Sequence, residues 1–289
     1  MTTKKDIEFE ISQLSGIKGM VEAYEEIAAT RIRRTKDQVI KSREFTSEIN
    51  YVFQHVKSGA KKIILEIAKK KKKDPSKLSF LQKNGKTLFV FLSANTGLYG
   101  DIIKRTFDLF AKYVGQWGDN VAIIGRVGLK MASQYNITKP ITYFDFPDDK
   151  VDEGQLKKIA SFMIQFERII VFYAKSEGIM RQEVLALDLS GNPQTQVGEQ
   201  DVKIKYFFEP EVSKIMAFFE TEIFSALFEQ TLRESQLAKL SSRVVGLNST
   251  IDHIDSELEK TILKRNVLKH EESNKKQIQT FSSMSLWNT

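Results

Sequence analysis

Every proline in this 289-residue chain lies between positions 75 and 210, and that placement constrains the fold more than any other feature. The five are Pro75, Pro140, Pro147, Pro193 and Pro210, and 11 of the 15 glycines fall in the same interval. A proline in a helix interior costs about 3 kcal/mol and a glycine about 1 kcal/mol. The flanks, residues 1–74 and 211–289, are therefore free to form long helices. Unbroken, each would reach on the order of 110 Å, more than a compact domain of this size can cover.

The C-terminal flank carries a second signal. Leu237, Leu240, Val244, Leu247, Ile251, Ile254 and Leu258 follow one another in alternating steps of three and four. This is the seam spacing of a coiled coil, sustained over about three heptads. A weaker stripe runs through Ile7, Ile11, Leu14, Val21, Ala28, Ile32 and Val39, interrupted at Lys18 and Glu25. Two such stripes satisfy each other if the flanks pair as a long antiparallel coiled coil.

Between the flanks the period changes. Thr87–Ser93, Val121–Gly125, Ile141–Phe146, Arg168–Ala174, Glu183–Leu189 and 202–208 are short runs rich in Val, Ile, Phe and Tyr, the pattern of strands. Helical patterns over Ile102–Val114, Leu129–Gln134 and Gln155–Gln165 separate the first four. Alternation of this kind predicts a layered α/β, Rossmann-like domain with parallel strands. The last two runs, joined by the turn-rich stretch 190–193, read as a hairpin added to it. The expected organisation is an N-terminal helix (1–74), an α/β domain (75–210) and a C-terminal helix (211–289).

Composition excludes several chemistries. With no cysteine there is no disulfide framework, thiol nucleophile or thiolate metal site. His55, His253 and His270 are isolated, without the spacing of a metal-binding pair. Asp145, Asp148, Asp149, Asp152 and Glu153 precede a helix and are accounted for by capping. The turn Ser93–Asp101, SANTGLYGD, follows a strand and precedes a helix, where α/β proteins bind phosphate. Its glycine spacing fits neither the dinucleotide fingerprint nor the P-loop, and Gly125 and Gly128 do no better. No catalytic, cofactor or metal site is expected. The net charge of +7 is concentrated in residues 1–74, which hold 17 basic and 11 acidic groups. The run Lys69–Lys73 lacks interleaved aromatics, so it reads as a solvated segment and no nucleic acid is expected. No apolar stretch approaches the length of a membrane span, and the start, MTTKKDIEFE, has no signal or transit pattern. A cytoplasmic location is expected.

Several segments in order resemble the gamma subunit, the central shaft, of F-type rotary ATP synthases. Ile27–Arg34, IAATRIRR, is similar to that family's V-A-A-x-K-L-R-R. Ser93–Asp101 resembles S-D-R-G-L-C-G-G, and Ile124–Gly128, IGRVG, resembles x-G-R-K-G. Phe172–Val184, FYAKSEGIMRQEV, is similar to the Y-N-x-F-x-S stretch and its following Gln. The stretch 206–210, YFFEP, matches Y-x-F-E-P before the last helix, and Glu234–Lys239, ESQLAK, resembles S-E-x-x-A-R. The chain departs from the pattern at Glu8, Glu10, Glu22, Glu25 and Glu26, around Gly246–Thr250, and at a tip bearing Lys275, Lys276, Phe281, Met284, Leu286 and Trp287.

The resemblance implies a non-catalytic rotor shaft that couples a hexamer of alpha- and beta-type ATPase subunits to rotation. The flanking helices (1–74 and 211–289) would be the shaft and the α/β domain (75–210) its foot, met by an epsilon-type subunit and a membrane ring at the cytoplasmic face of the membrane. A gamma-like shaft driving motility or surface machinery is the nearest alternative, and a basic coiled-coil nucleic-acid or scaffold protein a more remote one. Leu240, Val244, Leu247, Ile251, Ile254 and Leu258 would form the internal seam of the shaft. Arg31, Arg33 and Arg34 would contact the surrounding ring, and Phe281, Leu286 and Trp287 would seat the tip.

Overall fold

The computed structural model describes residues 4–71, 80–81, 83–117, 120–135, 137, 139–190 and 208–287. The helices are α1 (Lys4–Gly59), α2 (Lys61–Lys71), α3 (Ile102–Trp117), α4 (Arg126–Gln134), α5 (Glu153–Met163) and α6 (Val212–Trp287). The strands are β1 (Thr87–Leu92), β2 (Asn120–Ile124), β3 (Ile141–Phe144), β4 (Arg168–Ser176) and β5 (Gln182–Asp188). The 76 residues of α6 contain no proline and one glycine, Gly246, so nothing in the sequence interrupts its backbone ladder. The N-terminal flank differs from the expected single helix. It turns at Ala60, directly after Gly59, and restarts as α2.

The chain divides into two compact units. The larger, Arg31–Ser242, holds one five-stranded sheet in the order β3-β2-β1-β4-β5. The first four strands are mutually parallel, with Phe89 opposite Val121 and Ile170 across the two central ladders. Five of the six residues of β1 are buried, as a central parallel strand covered on both faces requires. Leu88, Val90 and Leu92 face α5 and the α6 residues Phe224, Phe228 and Leu232. Phe89 and Phe91 face α3 and α4, packing with Phe107, Phe110 and Phe172. The result is a three-layer α/β/α sandwich whose covering helices include a stretch of α6 itself.

The first five strand expectations fall on these five strands. β5 runs antiparallel to β4, with Phe172 opposite Ala186, across the turn from Glu177 to Arg181. The expected hairpin partner 202–208 lies, save for Phe208, outside the described residues. Beside the sandwich, α1 and α2 pack on the start of α6 through Phe53, Ala60, Ile64, Val212, Met216 and Ile223. Gln38 accepts from Arg233, and the ring of Phe53 meets Phe219, so α1 and α6 run in opposite directions.

The smaller unit comprises Met1–Thr30 and Arg243–Thr289. Ile7 and Ala28 of α1, and Val244, Leu247 and Ile254 of α6, are buried there. Lys18 Nζ donates to Asp255 at 2.5 Å, an ion pair between the two helices.

Candidate functional site: the seat of the C-terminal helix

From Glu234 to Ser242 α6 is buried yet polar. Glu234, Ser235, Gln236, Lys239, Ser241 and Ser242 are all less than a tenth exposed, an unusual run for residue types that prefer the surface. Burial at that cost requires partners. The partners come from the carboxyl ends of β1 and β4 and from α1, so this stretch is where the long helix is fixed to the sheet.

Glu234 is the centre of one clamp. The Arg43 guanidinium donates to Glu234 Oε1 from Nε at 2.8 Å and approaches it from Nη2 at 2.7 Å. Tyr173 of β4 donates to Oε2 at 3.3 Å, and Gln230 donates to Oε1 at 3.3 Å. Burial and the adjacent carboxylate push the Tyr173 phenol well above its ordinary range, so it stays a donor. Arg43→Met should destabilise the chain by about 1–3 kcal/mol, because it strips the charged partner from a buried carboxylate while the arginine itself is half-exposed. Adding Glu234→Gln should recover part of that loss in urea melts, and failure to recover any would refute the clamp.

Lys239 is the second clamp. Its amine donates to the carbonyl of Ser93, at the end of β1, at 2.8 Å. Burial lowers its pKa from the ordinary 10.5, opposed in part by the Asp148 carboxylate. Between the lowered value and 10.5 the unfolded chain binds a proton that the folded chain does not. The group therefore favours folding above 10.5, and this contribution is lost as pH falls through the lowered value. The stability of the native chain minus that of Lys239→Met should rise with pH across that window in denaturation measured at stepped alkaline pH. A flat difference would mean the amine is not buried.

Further along, Ser242 Oγ donates to the carbonyl of Tyr99 at 2.8 Å, and Ser241 Oγ lies 3.4 Å from Ser176 Oγ of β4. Gly100, at φ +60, brings the loop so close that a Cβ there would sit 2.9 Å from Ser242 Oγ.

The turn after β1, at the phosphate-like position, is filled by the chain's own hydrogen bonds. Asp148 accepts from the backbone N–H of Asn95 and of Thr96, at 2.9 and 2.8 Å, and from Thr96 Oγ1 at 2.8 Å. Asn95 Oδ1 accepts from the N–H of Arg126 at the start of α4, and Asn95 Nδ2 donates to Asp145 and to the carbonyl of Phe146. The N–H groups of Asn95 and Thr96 are thus held by a carboxylate of the chain itself, and that of Arg126 by a side-chain amide. Asp152 caps α5 by accepting from Gln155 N–H at 2.8 Å. Gly125 and Gly128 are packing residues: a Cβ on Gly125 would lie 2.7 Å from the Ala94 backbone, and one on Gly128 2.7–2.9 Å from Ser93, Phe91 and Ile123.

The residues singled out in the sequence lie on the two long helices. Leu240, Val244, Leu247 and Ile254 are buried, and Ile251 and Leu258 are half-buried. Arg31, Arg33 and Arg34 are exposed, as is Phe281 at 72%. The side chains of Leu286 and Trp287 lie outside the described residues. Sequence reading gave no role to Arg43 or Ser242, and used Glu234 and Lys239 only as the ends of a family-like stretch. The signal that would have found them is a polar cluster inside a helix flanked by apolar heptads.

A family model described as ATP synthase matches residues 3–272. The gamma chain of Halothermothrix orenii ATP synthase is 22% identical over 276 residues, covering 92% of each chain. That of Pelagibacter ubique is 21% identical over 277 residues, covering 89% of this chain and 92% of the relative. This chain belongs to the ATP synthase gamma family. The fold agrees. The rotor of the Euglena gracilis mitochondrial ATP synthase is similar with a TM-score of 0.52 at 12% identity, covering 91% of this chain and 99% of that one. The central stalk of the Tetrahymena thermophila mitochondrial enzyme gives 0.55 at 14%, covering 80% and 99%. Gamma chains are the non-catalytic central stalk, so the chain is a rotor subunit and not an enzyme. That the curated relatives are synthase gamma chains disfavours the motility-linked alternative.

Proposed function

We propose that this gamma chain is the turning shaft between a catalytic hexamer of alpha- and beta-type subunits and a membrane ring, with an epsilon-type subunit at the foot. The observation that carries the proposal is that one continuous helix, α6, is pinned to the sheet by Glu234, Lys239 and Ser242 and then pairs with residues 4–30 from Arg243 onward. A helix clamped by buried polar contacts can pass torque to the sheet, where a greasy contact would let it slip. An asymmetric coiled coil turning inside a ring of catalytic subunits biases each toward a different conformation, which is a difference in binding free energy among their states.

On this reading residues 1–74 and 211–289 are the shaft and 75–210 the foot. Leu240, Val244, Leu247, Ile251, Ile254 and Leu258 line the seam, Arg31, Arg33 and Arg34 meet the surrounding subunits, and Phe281, Leu286 and Trp287 seat the tip. Among the described residues no helix is long and apolar enough to cross a membrane, and membership of the gamma family supports a peripheral position at the cytoplasmic face. Native mass spectrometry of the complex captured on this chain from its own cells tests the proposal. The expected result is two kinds of ATPase subunit in three copies each with a single copy of this chain. Recovery alone, or with nucleic acid, would overturn it.

A further inference from the structure

A small pocket beneath the loop after β1 adjoins the Lys239 clamp. Ile124 and Phe146 form part of its apolar wall, and Ser93, Asp148, Gln236 and Lys239 supply its polar lining. The space available to the centre of a water molecule is ≈ 10 Å³, close to the least that holds one water. Two polar atoms of this lining, Ser93 Oγ and Gln236 Nε2, are buried without a hydrogen-bond partner. Both residues are more than nine-tenths buried. Leaving a buried donor or acceptor unmade is costly, so a pair of them beside one small pocket points to a shared occupant.

The charges around the pocket select its chemistry. Two donor-bearing side chains, Lys239 and Gln236, line the pocket against a cation, and the Asp148 carboxylate opposes an anion. The volume excludes a phosphate. Lys239 spends an N–H donor on the Ser93 carbonyl, and Asp148 already accepts from Asn95 and Thr96. What fits is a small neutral molecule able both to accept and to donate. We propose that this pocket binds one structural water that accepts from Gln236 Nε2 and exchanges a hydrogen bond with Ser93 Oγ, tying α6 to the end of β1 beside the Lys239 contact. The proposal does not depend on the rotor assignment.

An experimental structure of the full chain in its native assembly, at a resolution that shows buried waters, tests it. The expected result is a single density peak within hydrogen-bond distance of both Ser93 Oγ and Gln236 Nε2. An anomalous peak there after bromide exchange would make the occupant an anion and overturn the proposal. So would a pocket without density in which both atoms turn to bond protein groups. A double-mutant cycle on the full-length chain gives a second readout. Ser93→Ala and Gln236→Met should each lower Tm, and together they should lower it by clearly less than the sum, because both act through the same water. Additive losses would overturn the shared water. Should a variant not fold, the wild-type density decides.

Discussion

A chain carrying Leu247→Asp and Ile254→Asp should lose the pairing of residues 4–30 with 243–287 while keeping its five-stranded sheet. Both native side chains are less than a tenth exposed, at 8% and 9%. Removing each forfeits about 1.5–3 kcal/mol of apolar burial. Each new carboxylate must also lose its hydration or capture a proton, which costs several kcal/mol more. Two such sites one heptad apart exceed anything the Lys18–Asp255 ion pair can offset. The measurements are helical circular dichroism and limited proteolysis: cleavage should appear within residues 4–30, and the variant should be absent from purified ATPase complexes. Native protease resistance and normal incorporation would remove Leu247 and Ile254 from the seam.

The foot should be equally intolerant of Gly128→Val. The first carbon alone would arrive within 2.9 Å of Phe91, Ser93 and Ile123, all buried, and two methyls would follow. Overpacking of this kind costs about 1–3 kcal/mol in an ordinary core and more where nothing can move. About 3 kcal/mol or more is expected here, a large share of the 5–15 kcal/mol typical of a domain. Gly115→Ala is the control. It sits exposed in α3 with open space where the methyl would go, so it should gain about 0.5–1 kcal/mol. Denaturant midpoints separate the two, and a neutral Gly128→Val would mean that α4 does not pack against β1 as described.

Much of this fold was legible because its signals are local. Confinement of proline exposed the long helices, and the apolar runs at 87–93, 121–125, 141–146, 168–174 and 183–189 fell on strands, because a parallel sheet covered on both faces needs unbroken apolar segments. That β5 pairs with β4 was not legible. Nothing in the sequence weighs the turn 177–181 against the stretch 190–193, since both are short and rich in turn residues. The N-terminal stripe also looked broken where it is not. Lys18 occupies a seam position and meets Asp255, while Thr35, Thr46 and Asn50 are buried at later steps of the same three–four spacing. A search for apolar periodicity cannot count positions whose partners make them tolerable. The same blindness hid the clamps, because Glu234 and Lys239 are ordinary surface residues until Arg43, Tyr173 and Ser93 surround them. Their partners lie 61 to 191 positions away, and no local pattern carries that information.

That separation bears on how the chain matures. Lys18 leaves the ribosome 237 residues before Asp255, the carboxylate it pairs with. Throughout that interval Ile7 and Ala28 have no partner helix, and one face of the finished strands waits for Phe224, Phe228 and Leu232. Contacts so distant along the chain form slowly and leave apolar surface bare while they wait. A nascent chain stalled before residue 243 would display the stripe from Ile7 to Ala28 as a sticky, unpaired helix. Glu8, Glu10, Glu22 and Glu26 are exposed along it and surround that bare stripe with like charge, an arrangement that opposes association.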